Sequence, residues 1–182
     1  MKKFKLQYII GVFLFVTALF FTACSANKYS QSDLNKFFTN SRVKAKTSSV
    51  SFRVPKGWHT VDANNKEFID LWFVRDDMKV SLSLLPIVSN TIELSLEKSY
   101  ETSIEMNKIK YGVNNNFKII REKPEILSGK KILFYNFKID NKRFRVAVFE
   151  FNRKFYELTL YANNVNIRRE YFIQELVISS AK

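Results

Sequence analysis

Apolar and polar residues alternate along three neighbouring stretches in the second half of the chain, a pattern that predicts β-strands. These stretches are residues 131–139, 143–151 and 155–161. Two-residue polar turns separate them, and strands joined by such short turns form an antiparallel meander. The middle strand is apolar on both faces, because Val146 and Val148 alternate with Ala147 and Phe149. We therefore expect both faces of this strand to be covered.

Apolar runs that stop at turn residues predict five further strands. They are residues 50–54, 68–74, 78–84, 117–121 and 125–127. Pro86 is expected to end the third of them, since proline cannot donate a hydrogen bond to a sheet.

Two segments follow the helical period instead. Between Thr91 and Tyr111 apolar residues recur every four positions, which predicts an amphipathic helix, and Gly112 is expected to close it in a left-handed conformation. A second helix is predicted over residues 166–178. The residues expected to face inward from it are Ile167, Tyr171, Phe172 and Leu176. The order of strands, helix, strands and helix predicts an α+β domain with a central antiparallel sheet.

Cys24, the only cysteine, ends a different pattern at the amino terminus. Three lysines among the first five residues precede an uncharged apolar stretch that starts at Leu6, which is typical of a secretory signal. The residues Phe21-Thr22-Ala23-Cys24 resemble the lipobox of bacterial lipoproteins. In that family the cysteine sulfur receives a diacylglycerol, and cleavage occurs directly before it. The resemblance implies a signal peptide over residues 1–23 and a membrane anchor on Cys24.

The residues alone leave two alternatives open. The uncharged run from Leu6 to Asn27 has 22 residues, enough to cross a bilayer if it stays uncleaved. Cys24 could also be incidental in an ordinary secretion signal. Its position directly after Ala23 and before a polar stretch favours lipidation, and hence the bacterial cell envelope. Ser25 stands where enterobacterial lipoproteins kept in the inner membrane carry aspartate, which favours the periplasmic face of the outer membrane.

The chain beyond Cys24 divides into two parts. Residues 24–49 are polar without a sustained period, so we predict a tether that lifts the domain off the membrane. Residues 50–182 are predicted to form a single domain. If Cys24 is acylated, an internal disulfide is impossible, and 18 phenylalanines and 8 tyrosines supply the apolar area for a core.

The net charge is +13, of which three lysines precede Cys24, leaving +10. A basic chain suits nucleic acid or anionic lipid. However, the 21 lysines outnumber the 9 arginines, and the abundance of Asn, Ile and Phe is typical of an A/T-rich genome. Secretion also argues against nucleic acid, so no nucleic-acid partner is expected.

Positive charge is concentrated between residues 130 and 154, where eight basic residues stand against Asp140 and Glu150. The candidate patch consists of Lys130, Lys131, Lys142, Arg143, Arg145, Arg153 and Lys154. Such a patch suits anionic head groups, polysaccharide phosphate or an acidic partner. The simpler interpretation, which we favour, is a solvated sheet surface whose lysines protect strand edges.

Other candidate chemistry is sparse. His59 is the only histidine and has neither a second histidine nor a free thiol to share a zinc ion. Asp76 and Asp77 are adjacent, so they indicate a turn rather than a pair of carboxylates facing one cavity. The sequence contains no G-x-S-x-G and no G-x-x-x-x-G-K. We therefore expect no catalytic residue, no metal site and no cofactor, with Trp58 filling the core.

The segment Val50-Ser51-Phe52-Arg53-Val54-Pro55-Lys56-Gly57-Trp58 resembles the strand-Pro-x-Gly-Trp opening of the PsbP-like family, which includes bacterial DcrB-type lipoproteins. The resemblance continues in Ser128-Gly129-Lys130-Lys131 and in the helix after Leu158-Thr159-Leu160, and it covers roughly Val50 to Ser180. It implies an α/β/α sandwich and a largely non-enzymatic family of assembly factors and accessory subunits.

Together these patterns predict a lipid-anchored, non-catalytic binding or assembly module. Its partners would be the membrane, through the lipid on Cys24, and an unknown envelope protein or glycan. The alternative is a carrier or sensor of an apolar ligand, with phenylalanines lining a pocket between sheet and helix. A hydrolase would require a convergent Ser/His/Asp cluster.

Overall fold

The structure, a computed structural model, describes residues 28–62, 68–88, 95–112 and 117–182. Its helices are α1 (Gln31–Phe37), α2 (Leu96–Tyr111) and α3 (Ile167–Ser179). Its strands are β1 (Phe38–Lys44), β2 (Ser51–Pro55), β3 (Trp58–Thr60), β4 (Leu71–Arg75), β5 (Val80–Ile87), β6 (Ile119–Arg121), β7 (Glu125–Leu127), β8 (Lys130–Ile139), β9 (Lys142–Phe151) and β10 (Lys154–Asn163).

The described residues form an eight-stranded antiparallel sheet and a separate pair, β1–β2. The large sheet has the order β3-β4-β5-β10-β9-β8, and β6 and β7 both pair with the outer edge of β8. The predicted meander of β8, β9 and β10 is confirmed and lies at the centre of the sheet. In its register Ala147 of β9 lies opposite Phe134 of β8 and Leu158 of β10.

Apolar side chains pack on both faces of the large sheet. On one face α2 contributes Tyr100 and Ile104 to a core that includes Val146 of β9. On the other face α3 and the β1–β2 pair close a larger core that includes Phe149 of the same strand. The prediction that the middle strand is covered on both sides is therefore confirmed, and the architecture is an α/β/α sandwich.

The amino-terminal part of the domain begins earlier than predicted. The tether predicted over residues 24–49 is wrong from residue 28 on, because Lys28 and Tyr29 bond to Glu175, and α1 and β1 occupy residues 31–44 and pack against the larger core. Ser30 caps α1: its hydroxyl accepts from the Asp33 N–H, and the Asp33 carboxylate accepts from the Ser30 N–H. Phe38, at the start of β1, is 1% exposed.

Pro86 does not end β5, which continues to Ile87. The Leu84 carbonyl oxygen accepts a hydrogen bond from Asp70, so it points towards β4. The backbone nitrogen of Pro86, two residues later, points to the same side. The pairing of β5 with β4 ends at Leu84, so no β4 residue is paired with Pro86. The position tolerates proline because no ladder hydrogen bond from β4 is made there.

Gly112 ends α2, but its φ is −65°, so the predicted left-handed conformation is wrong. Glycine is needed here because a side chain would not fit. A Cβ atom at this position would lie 2.3 Å from the backbone oxygen of Lys108. We expect Gly112→Ala to destabilise the fold by about 1–3 kcal/mol, because backbone must move to admit the methyl group. Urea unfolding checks this, with Gly129→Ala as a contrast in which a positive φ, and not contact, opposes the methyl group.

The face that α3 turns inward differs from the predicted one. Leu176 is fully buried, as expected, whereas Ile167, Tyr171 and Phe172 lie partly buried at the margin of the core. The most buried part of the helix is its second half, residues 173–178. This stretch lies between the large sheet and the β1–β2 pair, so several sides of the helix are covered at once.

Candidate functional site

Arg145, predicted as part of a surface patch, is buried with 3% of its side chain exposed, so the patch prediction is wrong at this residue. Alternation along β9 puts Arg145 on the same face as Ala147 and Phe149, the face that α3 covers. A buried charge is costly unless its partners are also in place.

Two carboxylates pair with the Arg145 guanidinium. Its Nε and Nη2 donate to Glu122 Oε2 at 3.0 and 2.8 Å, and its Nη1 donates to Glu175 Oε1 at 2.8 Å. Burial would lower the pKa of Arg145, but Glu122 and Glu175 raise it above its ordinary value. The guanidinium also lies 4.0 Å from the ring centre of Phe134 and 4.6 Å from that of Tyr171. The cluster thus joins β9, α3 and the segment between β6 and β7.

The same cluster holds the first described residues of the chain. Lys28 donates to Glu175 Oε2 at 2.8 Å and to Glu125, and the Tyr29 hydroxyl donates to Glu175. The Tyr29 ring packs edge-on against Phe172 at 5.3 Å. Glu175 therefore joins the amino-terminal segment to the buried arginine.

Protonation of Glu175 should weaken this cluster. Burial would raise the pKa of the carboxyl, but hydrogen bonds from Lys28, Tyr29 and Arg145 outweigh it and lower the pKa below the usual value. A group with a depressed folded-state pKa stabilises the fold above its unfolded-state pKa and loses that contribution as pH falls through the folded-state value. We expect unfolding free energies to drop below about pH 4.5, and to drop less steeply in Glu175→Gln.

Urea unfolding between pH 6 and pH 3 measures this dependence. Glu105→Gln is the matched control, because Glu105 forms an exposed pair with Lys108 on α2. It should keep the wild-type pH dependence. If the unfolding free energy of Glu175→Gln fell with pH as steeply as that of the wild type, protonation of Glu175 would not be the cause of the loss.

The remaining residues of the predicted patch do not form one surface. Lys142 and Arg143 start β9 at one end of the sheet, whereas Lys130 and Lys131 start the antiparallel neighbour β8 at the other end. Arg153 and Lys154 stand at the β9–β10 turn, also at that second end. The members are close in sequence, but strands of ten residues separate the two groups by about 30 Å.

Some of these cations have partners. Lys131 pairs with Glu97 of α2 at 2.8 Å, and the Lys130 ammonium lies 4.1 Å from the ring centre of Phe151. Burial lowers the pKa of Lys130 below its ordinary value. Both side chains therefore help to attach β8 to its neighbours.

A cavity of about 320 Å³ opens at the end of the sheet that carries Arg143. Its lining residues are Lys138, Asn141, Arg143, Ala162, Asn164 and Val165. Lys138 and Arg143 lie directly opposite each other in β8 and β9, and like charges in this position repel. The polar, cationic lining suits an anion better than an apolar ligand.

A second buried polar cluster, which was not predicted from the sequence, lies under α2. The Tyr135 hydroxyl is 2.6 Å from Ser103 Oγ and accepts from Asn107 Nδ2 at 2.8 Å, and Ser103 also donates to Glu157. Burial raises the pKa of the Tyr135 phenol. Ser103 is 3% exposed, so this hydroxyl fixes α2 to the sheet. The available signal was the spacing of Ser99, Ser103 and Asn107, four residues apart on the inward side.

The other candidates lie at one turn of the sheet. His59 lies on β3 with its side chain half exposed, and its Nδ1 is 3.1 Å from Asp76 Oδ1. Asp77 accepts instead from the Arg75 guanidinium and the Lys79 N–H, so the adjacent aspartates have different partners. Trp58 is 8% exposed and belongs to the larger core, as expected.

Within the described residues, no group of three or more His, Cys, Asp or Glu side chains is arranged to hold a metal ion. None of the three helices in the described part of the chain is both long and apolar enough to span a bilayer. The predicted signal peptide and Cys24 lie outside the described residues.

Comparison with solved structures identifies the fold. The cyanobacterial PsbP protein (CyanoP) of Synechocystis sp. PCC 6803 superposes with a TM-score of 0.56 at 16% identity, covering 78% of this chain and 91% of that one. A point mutant of the protein Mog1 superposes with a TM-score of 0.51 at 10% identity, covering 79% and 95%. Neither a protein-family model nor a curated protein matches the sequence. The predicted PsbP-like fold is confirmed, and membership of the DcrB-type lipoproteins stays a prediction.

Proposed function

We propose that the chain is a bacterial lipoprotein, acylated on Cys24, whose domain is a non-catalytic binding or assembly module that contacts another component of the cell envelope.

The resemblance of Phe21-Thr22-Ala23-Cys24 to a lipobox supports the anchor, and the short chain between Cys24 and the fold sets how close it would hold the domain. Lys28, only four residues later, is already bonded to Glu125 and Glu175. A lipid on Cys24 would therefore hold the domain directly at a membrane, and two or more acyl chains suffice for stable attachment.

The buried polar clusters support the non-catalytic part of the proposal, because their polar groups bond to one another inside the domain. Arg145, Glu122 and Glu175 bond to one another, and Tyr135 and Ser103 bond within the second cluster. These groups join helices to the sheet, and a structural use of this kind suits a stable scaffold. The resemblance to the PsbP-like family, whose members act largely as assembly factors and accessory subunits, favours the same role.

Metabolic labelling with an alkyne-bearing fatty acid in a bacterial host tests the anchor. We expect the wild-type chain and Ser25→Ala to be labelled and Cys24→Ala to be unlabelled. Mass spectrometry should find an amino-terminal peptide that begins at acylated Cys24. A peptide that begins at Met1, or an unmodified Cys24, would contradict the proposal.

Two further measurements test the role of the domain. Photo-crosslinking in intact cells should join the domain to a defined envelope component. Native mass spectrometry of protein from its host should give the mass of the acylated chain alone. A retained lipid would favour the alternative, a carrier of apolar ligands.

A further inference from the structure

The cavity at the end of the sheet that carries Arg143, which we name the Arg143 cavity, is built on three neighbouring strands. Lys138 of β8, Arg143 of β9 and Ala162 of β10 lie directly opposite one another. Residues paired in this way point to the same face of a sheet. Alternation along β9 makes this the face of Arg145, which α3 covers. The two cations therefore stand side by side on one face.

These two cations lie together without an acidic partner among the described residues. Neither Lys138 nor Arg143 forms an ion pair there, and both are exposed. None of the six described residues that line the cavity is acidic. Glu170, in the first turn of α3, bonds to Arg75 instead, and Asp140 stands exposed at the β8–β9 turn outside the lining. Since like charges directly opposite each other repel, an anion between them would be stabilising.

The rest of the lining adds hydrogen-bond donors and a further positive field. Asn141 and Asn164 carry side-chain amides, and both residues are exposed. Val165 also lines the cavity, and α3 begins two residues later at Ile167. The amino-terminal end of a helix carries a partial positive charge, so it attracts an anion as the two cations do. Donors and positive charge thus meet at one open space.

We propose that the Arg143 cavity binds a phosphate group, carried by a small soluble ester or by a lipid head group. The Arg143 guanidinium would donate two parallel hydrogen bonds to phosphate oxygens, and the Lys138 ammonium would add a point charge. Asn141 and Asn164 would donate to the remaining oxygens. The site goes beyond the proposed function, because it requires no lipid on Cys24.

The size of the cavity favours a phosphate ester over free phosphate. Its volume is about 320 Å³, at the lower end of the range of about 300–1,000 Å³ that is usual for ligand pockets. A phosphate group alone would leave much of this space to water. The cavity therefore has room for a small organic substituent next to the phosphate.

Isothermal titration calorimetry on the full chain, purified in a nonionic detergent, tests the site at constant ionic strength. The two probes are glycerol 3-phosphate in solution and phosphatidic acid in the detergent micelles. Lys138→Gln with Arg143→Gln removes both charges from the cavity. The matched control is Arg153→Gln with Lys154→Gln, which also removes one exposed arginine and one exposed lysine, but at the opposite end of β9.

We expect the wild type and the control variant to bind at least one probe, and the Lys138/Arg143 variant to bind it at least about tenfold more weakly. Each lost hydrogen bond to a charged group weakens binding by roughly that factor. Binding of glycerol 3-phosphate would identify a soluble ester, and binding of phosphatidic acid alone would identify a lipid head group.

The melting temperature of the unliganded protein shows whether the Lys138/Arg143 variant is folded. It should equal or exceed that of the wild type, because two exposed, mutually repelling charges are removed. Failure of the wild type to bind either probe would overturn the proposal. Equal affinities in all three proteins, or an equal loss in both variants, would overturn it as well.

Discussion

Replacing Arg145 with methionine is expected to lower the free energy of unfolding by about 3–5 kcal/mol. The substitution removes the cation from between Glu122 and Glu175, both of which bond to it within 3.0 Å. Glu175, with 9% of its side chain exposed, would then keep its bonds from Lys28 and Tyr29 but lose the buried cation, and Glu122 would lose the cation that it bonds twice. Methionine keeps much of the side-chain volume, so the loss would reflect charge more than packing.

Urea unfolding at pH 7 measures this effect, and the chain provides its own control. Arg143 lies two residues away on the same face of β9 but is exposed, so Arg143→Met should change stability by less than about 0.5 kcal/mol. Adding Glu122→Gln to Arg145→Met should recover part of the loss, since among the described residues Glu122 forms an ion pair with Arg145 alone. A loss below about 1 kcal/mol in Arg145→Met would contradict the buried ion cluster.

Replacing Phe149 with alanine is expected to cost about 3–5 kcal/mol. Phe149 is 0% exposed and lies on the central strand β9, in the larger core beneath α3. Its ring is 5.9 Å from that of Tyr156 on β10, so the substitution also removes an aromatic contact. The size of the loss reflects the cavity that close-packed neighbours leave unfilled.

Thermal and urea unfolding of Phe149→Ala should agree, and Phe68→Ala is the matched control. Phe68 is 79% exposed, so its removal should leave stability within about 0.5 kcal/mol of wild type. If both variants lost equal stability, the position of Phe149 at the centre of the core would be contradicted.

The strands of the central meander could be predicted from the sequence because every second residue of a strand points to the same face, and the buried faces are apolar. The same alternation could have shown that Arg145 points inward, since it shares a face with Ala147 and Phe149. The predicted patch grouped residues that are close along the chain. Neighbouring residues of a strand point to opposite faces, and adjacent strands run in opposite directions, so such residues are separated in the fold.

The segment before residue 50 could not be predicted in the same way. Residues 28–49 are mostly polar, and their few apolar residues follow no sustained period. Two of these apolar residues are Phe37 and Phe38. Their burial depends on partners far along the chain, such as Phe172, whose ring lies 5.1 Å from that of Phe37. Tertiary contacts of this kind leave no period in the sequence. The Tyr135 cluster was hidden for a similar reason, because polar residues on a helix usually indicate its solvent side.

Both borders of the eight-stranded sheet end in strands of only three residues, β3 on one side and β6 and β7 on the other. Short border strands expose few unpaired backbone groups, so a second copy finds little to pair with. If the proposed anchor on Cys24 concentrates the molecules on a membrane, the short border strands would disfavour edge-to-edge pairing between neighbouring copies.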